Sequence, residues 1–152
     1  MLTISVGVII VIITLLFILG AKSHKSIPPG LVGGMLSKCS QKPNCVSSEI
    51  KSDDPHFISP LTSSNNIVLL NGIIQEMGGV LVNEKDNYFA YQFTSKVFGF
   101  VDDFEVRLEQ SKNLIHFRSA SRVGTSDLGV NRNRVERVKK LYQDRLKSKL
   151  IK

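Results

Sequence analysis

Residues 99–134 read GFVDDFEVRLEQSKNLIHFRSASRVGTSDLGVNRNR, and the alternation inside this stretch decides the fold. Phe100, Asp102, Phe104, Val106 and Leu108 fall on one side of an extended chain, and Val101, Asp103, Glu105 and Arg107 on the other, because successive strand side chains point to opposite faces. Past a polar turn, Ile115 and Phe117 continue the apolar side, followed by Ser119 and Ser121, while His116, Arg118 and Arg122 take the other. A one-residue slip would turn every side chain over. The tightest hairpin that keeps both apolar faces together turns at Ser111-Lys112. It sets Leu108 opposite Ile115, Val106 opposite Phe117, Phe104 opposite Ser119 and Asp102 opposite Ser121. The polar side pairs Glu105 with Arg118 and Arg107 with His116; read as solvated, its Glu–Arg pair contributes about 0.2–1 kcal/mol. Asp102 is the anomaly. It is turned inward among phenylalanines, where a carboxylate needs hydrogen bonds, a cation or a proton.

Around this hairpin the pattern changes period. Ile67, Leu70, Ile73, Ile74 and Met77 recur at helical spacing, with Ser63 or Ser64 as cap and Gly78-Gly79 as stop, so a helix is expected over 63–77. Val80 to Glu84 and Tyr88 to Val97 read as strands joined at Lys85-Asp86-Asn87, with Phe89, Tyr91, Phe93 and Val97 on one face. After a crossover containing Gly124 and Gly129, Asn131 is placed to cap a final helix. Val135, Val138, Leu141, Tyr142 and Leu146 form its apolar stripe. Helix, four strands in hairpin succession and helix predict an α+β domain: a four-stranded antiparallel sheet with two helices packed on one face.

Leu2 to Gly20 is an uncharged apolar run of membrane-spanning length. No Lys or Arg precedes it and Leu19-Gly20-Ala21 is a poor cleavage site, so residues 1–21 are expected as an uncleaved transmembrane anchor, 22–37 as a Pro/Gly linker and 38–152 as the globular domain. Beyond the anchor about 115–130 residues remain, enough for one core. Lys22 and Lys25 after the span favour a cytoplasmic domain, whereas Cys39 and Cys45, the only cysteines, suit an oxidising compartment. Weighing the cysteines above two lysines, the expectation is a single-pass inner-membrane protein with a periplasmic domain. The formal net charge of +7 suits anionic partners without choosing among lipid headgroups, polymers and nucleic acid. Nucleic acid is disfavoured by the anchor and by aromatics that lie on the core face rather than among the basic residues.

Three constellations hold candidate chemistry. Arg132 and Arg134 open the last helix, where the macrodipole disfavours cations by about 0.3–1 kcal/mol, so they serve either Asp102, Asp103 or Asp127 or an anionic ligand. Arg118, Ser119, Ser121 and Arg122 run into Gly124, giving either an anion site or a polar ladder. Cys45 or Ser121 with Asp102 or His56 would make a hydrolase, and a Cys39–Cys45 disulfide competes with it. No fourth ligand completes a zinc site, and neither a metal nor a cofactor is expected.

Cys39 with PNCVSS, then DDPHFISPL, GFVDDFEVRL and RSASRVGTSDLGVNRNRVE resemble the bacterial and plastid family catalogued as domain of unknown function 1499, over about Cys39 to Leu146. The resemblance implies one small domain, often behind a signal or lipid-anchor segment, and carries no established activity. It marks Cys39, Asn44, Cys45, Asp102, Asp103, Arg118, Ser119, Ser121, Arg122, Gly124, Asp127, Asn131 and Arg132 as signature positions. The residues together suggest a membrane-anchored envelope domain that binds an anionic or lipid-derived ligand, or an envelope protein, with Arg134 added to the candidate set. A hydrolase and a structural component of a membrane complex are the alternatives.

Overall fold

The computed structural model describes residues 2–63 and 66–150. It is an α+β fold with three helices and two sheets. The apolar N-terminal run forms α1 (Leu2–Ser23), and its Val6–Ser23 portion is long and apolar enough to cross a membrane. A two-stranded hairpin follows, β1 (Leu31–Val32) with β2 (Met35–Leu36), turning on Gly33 and Gly34 at φ +60° and +81°, where only a residue without a Cβ sits unstrained.

The main sheet has six strands, not four. β5 (Val80–Lys85), β6 (Tyr88–Thr94), β7 (Val101–Glu109) and β8 (Leu114–Ser121) make the hairpin succession, and β3 (Cys45–Ser47) and β4 (Leu61–Thr62) both pair with the far edge of β8. Strands of three and two residues are too short to show a period-two pattern, which is why the strand count fell short. The β7–β8 register sets Asp102 opposite Ser121 and Leu108 opposite Ile115, and the chain reverses through a 3-10 turn over Gln110–Lys112. β6 stops at Thr94, because Ser95 N–H donates to Phe100 O (2.8 Å) and closes a loop. Val97 therefore lies outside the strand and exposed, not on the core face.

The main core is the face built by Phe89, Tyr91, Phe93, Phe104, Val106, Ile115 and Phe117. Leu70, Ile73 and Ile74 of α2 (Ile67–Glu76) and Val135, Val138 and Tyr142 of α3 (Val130–Leu150) pack on it, as the 3.6-residue spacing requires. Both caps differ from expectation. Asn66 caps α2, accepting from Leu69 N–H at 3.0 Å, in place of Ser63; Ser64 lies outside the described residues. Asp127 caps α3, its carboxylate accepting from Gly129 N–H (3.1 Å) and Asn131 N–H (2.7 Å), so Asn131 sits inside the first turn.

Over β6, β7 and β8 the second face of the sheet is covered rather than solvated. Of the segment expected as a linker, 22–37, the part after α1 lies across it. Gly30 N–H donates to Glu105 Oε1 (3.2 Å), Leu36 packs with Tyr88 and Ala90, and Leu36 N–H donates to Glu49 (2.5 Å). Glu105 is fully buried and Arg118 nearly so, which corrects their reading as an exposed pair. The alternation assigned the faces; it carried no information about what lay over the polar one.

Candidate functional site

On the core face the inward Asp102 meets Arg134, whose guanidinium donates to Asp102 Oδ2 at 2.8 Å and lies 4.5 Å from the centre of the Phe93 ring. Arg134 also donates to Asn131 Oδ1 (2.7 Å), and the Asn131 side chain joins three elements. Its Oδ1 accepts from Ser119 Oγ (2.5 Å), and its Nδ2 donates to Ser121 Oγ (3.0 Å) and to Asn44 O (3.2 Å). Asn44 then holds the crossover: its O accepts from Ser121 N–H (2.9 Å), and its amide donates to Gly124 O (3.2 Å). Position explains the unfavourable arginine at the start of a helix. Arg134 compensates a partly buried carboxylate at close range, an interaction stronger than the helix dipole it opposes.

The outer face carries a second layer of charge. Arg122 grips Asp103 with Nε and Nη2 (3.0 and 2.7 Å) and donates through Nη1 to Ser23 O (3.1 Å). Glu105 accepts from Arg118 (2.5 Å), from Tyr88 Oη (2.7 Å) and from Gly30 N–H. Burial and the neighbouring Glu105 push the Tyr88 phenol well above its ordinary range, so it stays a donor. Arg118 Nε alone among the buried side-chain nitrogens and oxygens of the described residues lacks a partner. Arg132 donates to two backbone carbonyls, Phe57 O (2.8 Å) and Pro55 O (2.7 Å), and so pins the loop before β4. Each guanidinium of the candidate set is thus directed at an acceptor within the chain.

The nucleophile candidates are also engaged. Cys39 and Cys45 are joined in a disulfide with a Cα–Cα distance of 5.6 Å, which removes the thiol that a cysteine hydrolase needs. Ser121 accepts from Asn131, and His56 is held by Asp54 Oδ1 (2.8 Å) and Lys42 O (3.1 Å). A different polar cluster, which the sequence reading missed, lines an open depression beside β2. His116 lies between Ser48 Oγ (3.2 Å) and Glu109 Oε2 (2.8 Å), with Arg107 bridging Glu49 and Glu109. Ser48 Oγ already accepts Phe117 N–H (2.9 Å), so one of its two lone pairs is committed to β8. Lys112, His116 and Arg107 hold the Glu109 carboxyl down to about 2. The chain distance between Ser48, Glu109 and His116, and the weak β pattern of residues 45–49, hid this group.

A further cleft lies where α1 meets the domain, with a volume of about 380 Å³. Leu16 and Leu19 of α1, Phe100 and Val101 at the start of β7, and Val123 and Val130 give it apolar walls. Asp102, Ser121 and Asp127, with Ser95 and Ser126, give it polar lining. Among the candidate residues, Asp102, Ser121, Gly124 and Asp127 line this cleft, while Asp103, Arg118 and Ser119 do not.

Over residues 35–141 the chain matches the family model described as Protein of unknown function (DUF1499). The chain belongs to this family. No curated protein and no solved structure matches it. The DUF1499 match begins at β2 and ends within α3, so it takes in the disulfide, the Asp102–Arg134 pair and the Asn131 hub. α1 lies before it, and the cleft is therefore walled on one side by the family domain and on the other by residues outside the match.

Proposed function

We propose that this DUF1499 chain is a single-pass inner-membrane protein whose extracytoplasmic domain, 38–152 with 22–37 laid across it, holds a lipid-derived ligand rather than transforming one. The observation that carries the reading is the cleft at the base of α1, whose lining is mainly apolar and includes the side chains of Asp102, Ser121 and Asp127. Such a shape suits an acyl or isoprenoid chain with a polar head near Asp102, Ser121 and the backbone at Gly124. The disulfide supports an oxidising compartment. Retention of α1 is supported by its packing: Ser23 Oγ accepts from Val101 N–H (3.0 Å), and Ser23 O accepts from Arg122. Binding without chemistry fits side chains already committed to one another: Asp102 with Arg134, Ser121 with Asn131, Cys45 with Cys39.

The test is photo-crosslinking of the full chain in vesicles containing a phospholipid with a diazirine on its acyl chain. The expected adducts map to Val123–Val130 as well as to α1. Val123→Trp, which fills the cleft, removes the domain adducts and leaves those on α1. Adducts confined to the outward residues of α1, with or without Val123→Trp, would overturn the assignment.

A further inference from the structure

α1 does not end in a free tether. Phe17 packs on Phe98 edge to face at 5.3 Å. Gly20 lies so close to the Phe98 carbonyl that an added Cβ would sit 1.8 Å from its oxygen. Ser23 is buried under the start of β7, and His24 Nε2 sits 2.9 Å from Gly99 O. The loop 95–100 therefore meets α1 at the level of residues 17–24, and the loop 123–130 reaches Leu16 and Leu19 through the cleft.

These contacts fix a depth. The apolar run stops at Gly20, and Lys22 is the first charge after it. With a rise of about 1.5 Å per residue, Leu16 and Phe17 lie about 8–9 Å below Lys22 along the helix. If Lys22 marks the headgroup level, the two loops stand inside the boundary between headgroups and acyl chains, where interfacial apolar groups sit about 5–10 Å deep. The side chains of these loops fit that medium. Val97 is 68 % exposed and Leu128 92 % exposed, and Val130 is also exposed. Leu128 has φ +54°, a backbone conformation uncommon for a side chain of its size. The turn that carries it is pinned by the Asp127 cap on both sides of Gly129. A large apolar side chain held outward at the tip of a pinned turn, next to a membrane span, faces water only if no bilayer is there.

We infer that loops 95–100 and 123–130 form a collar around the base of α1 that is immersed in one leaflet, with the bilayer itself as its partner. The inference rests on α1 being a membrane span. It adds that the domain is seated in the lipid surface rather than hung above it, and that the cleft opens directly to acyl chains. Lys22 and Lys96, at the rim, reach headgroups by extending their stems.

The sequence has no tryptophan, so one substitution supplies a single emitter. Leu128→Trp, Val11→Trp in mid-span and Lys147→Trp near the far end of α3 are each made in the full chain and reconstituted in phosphatidylcholine vesicles, with and without lipid brominated near the headgroup and, in a second set that reports on mid-span, near the end of the acyl chain. Leu128→Trp is expected to emit to the blue of Lys147→Trp, to lose severalfold intensity to brominated lipid, and to resist aqueous iodide. Val97→Trp repeats the measurement if Leu128→Trp fails to fold. Quenching of Val11→Trp by lipid, with Leu128→Trp open to iodide, would overturn the collar and leave the span standing. Failure of both to respond to brominated lipid would remove the span and the collar together. Protection of Leu128→Trp from iodide without lipid quenching would assign the patch to protein contact and overturn the bilayer as its partner.

Discussion

Glu105→Ala is the perturbation with the largest effect on the outer face of the sheet. Glu105 is 0 % exposed and accepts from Arg118, Tyr88 Oη and Gly30 N–H. Truncation leaves the Arg118 guanidinium under residues 23–37 without a counterion, and its Nε already lacks an acceptor. Breaking a buried pair from one side costs about 3–5 kcal/mol. The orphaned Tyr88 and Gly30 donors would add about 1–3 kcal/mol each if they stayed dry. The covering segment is a short hairpin, so it lifts and admits water before that full sum accrues. The expected loss is therefore about 3–5 kcal/mol, a large part of the 5–15 kcal/mol that holds a typical domain together. At about 4 °C per kcal/mol for a domain of this size, the midpoint falls by about 12–20 °C. The assay is thermal unfolding of the full chain in detergent micelles, followed by near-ultraviolet circular dichroism. A second variant isolates the cause. Glu105→Gln with Arg118→Met removes both charges while keeping an oxygen for Tyr88 Oη and Gly30 N–H, and its loss should stay within about 2 kcal/mol, because uncharged replacement of a buried pair is often near neutral. A Glu105→Ala midpoint within about 3 °C of the parent, or a double variant as unstable as the single one, would refute the argument that charge burial rather than lost volume sets the cost.

Other expectations are simpler to state. Asn131→Ala removes bonds to Ser119, Ser121, Asn44 and Arg134 at once; a loss of about 2–4 kcal/mol is expected by chemical denaturation, with Asn131→Asp only partly restoring it because a carboxylate cannot donate to Asn44 O. Reducing the Cys39–Cys45 bond, which closes a short ring, should lower stability by about 2 kcal/mol on the loop-entropy account, read from melts with and without reductant. Gly20→Leu cannot keep the contact with the Phe98 carbonyl, so α1 should undock and the Val101 amide, freed from Ser23 Oγ, should exchange faster while amides within β8 are unchanged. The Glu109 carboxyl, whose ordinary value is 4.5, is held at about 2 by Lys112 first and His116 next. A depressed acid stabilises the fold above its unfolded value, and that contribution is lost as pH falls from about 4.5 towards 2. Glu109→Gln should flatten this acid limb in a pH series of melts, and an unchanged limb would assign acid lability to other groups.

The sequence alone determined the core of this domain. Period-two alternation in residues 100–121 and period-3.6 spacing in 67–77 and 135–146 are local signals, and each segment must bury its apolar face whatever its neighbours are. The β7–β8 register followed from the same alternation, because any slip would expose Phe104 and Phe117. Only the tertiary structure decided what lay over the polar face. Residues 23–37 carry no periodicity, and their place is fixed by backbone groups that any sequence possesses, Gly30 N–H, Leu36 N–H and Ser23 O, together with two isolated side chains, Ser23 and Leu36, that form no pattern. Glu105 and Arg118 consequently looked like a surface pair and are interior. Strands of two or three residues and the Ser48–His116–Glu109 cluster were hidden for a related reason: each depends on which distant segments meet, and chain spacing holds no record of that meeting. The caps at Asn66 and Asp127 are local, each bonding two to four residues ahead, and were missed because several residue types able to cap stand near one another at both helix starts. The cleft beside α1 is the extreme case, since residues near position 16 and position 130 contribute its two walls.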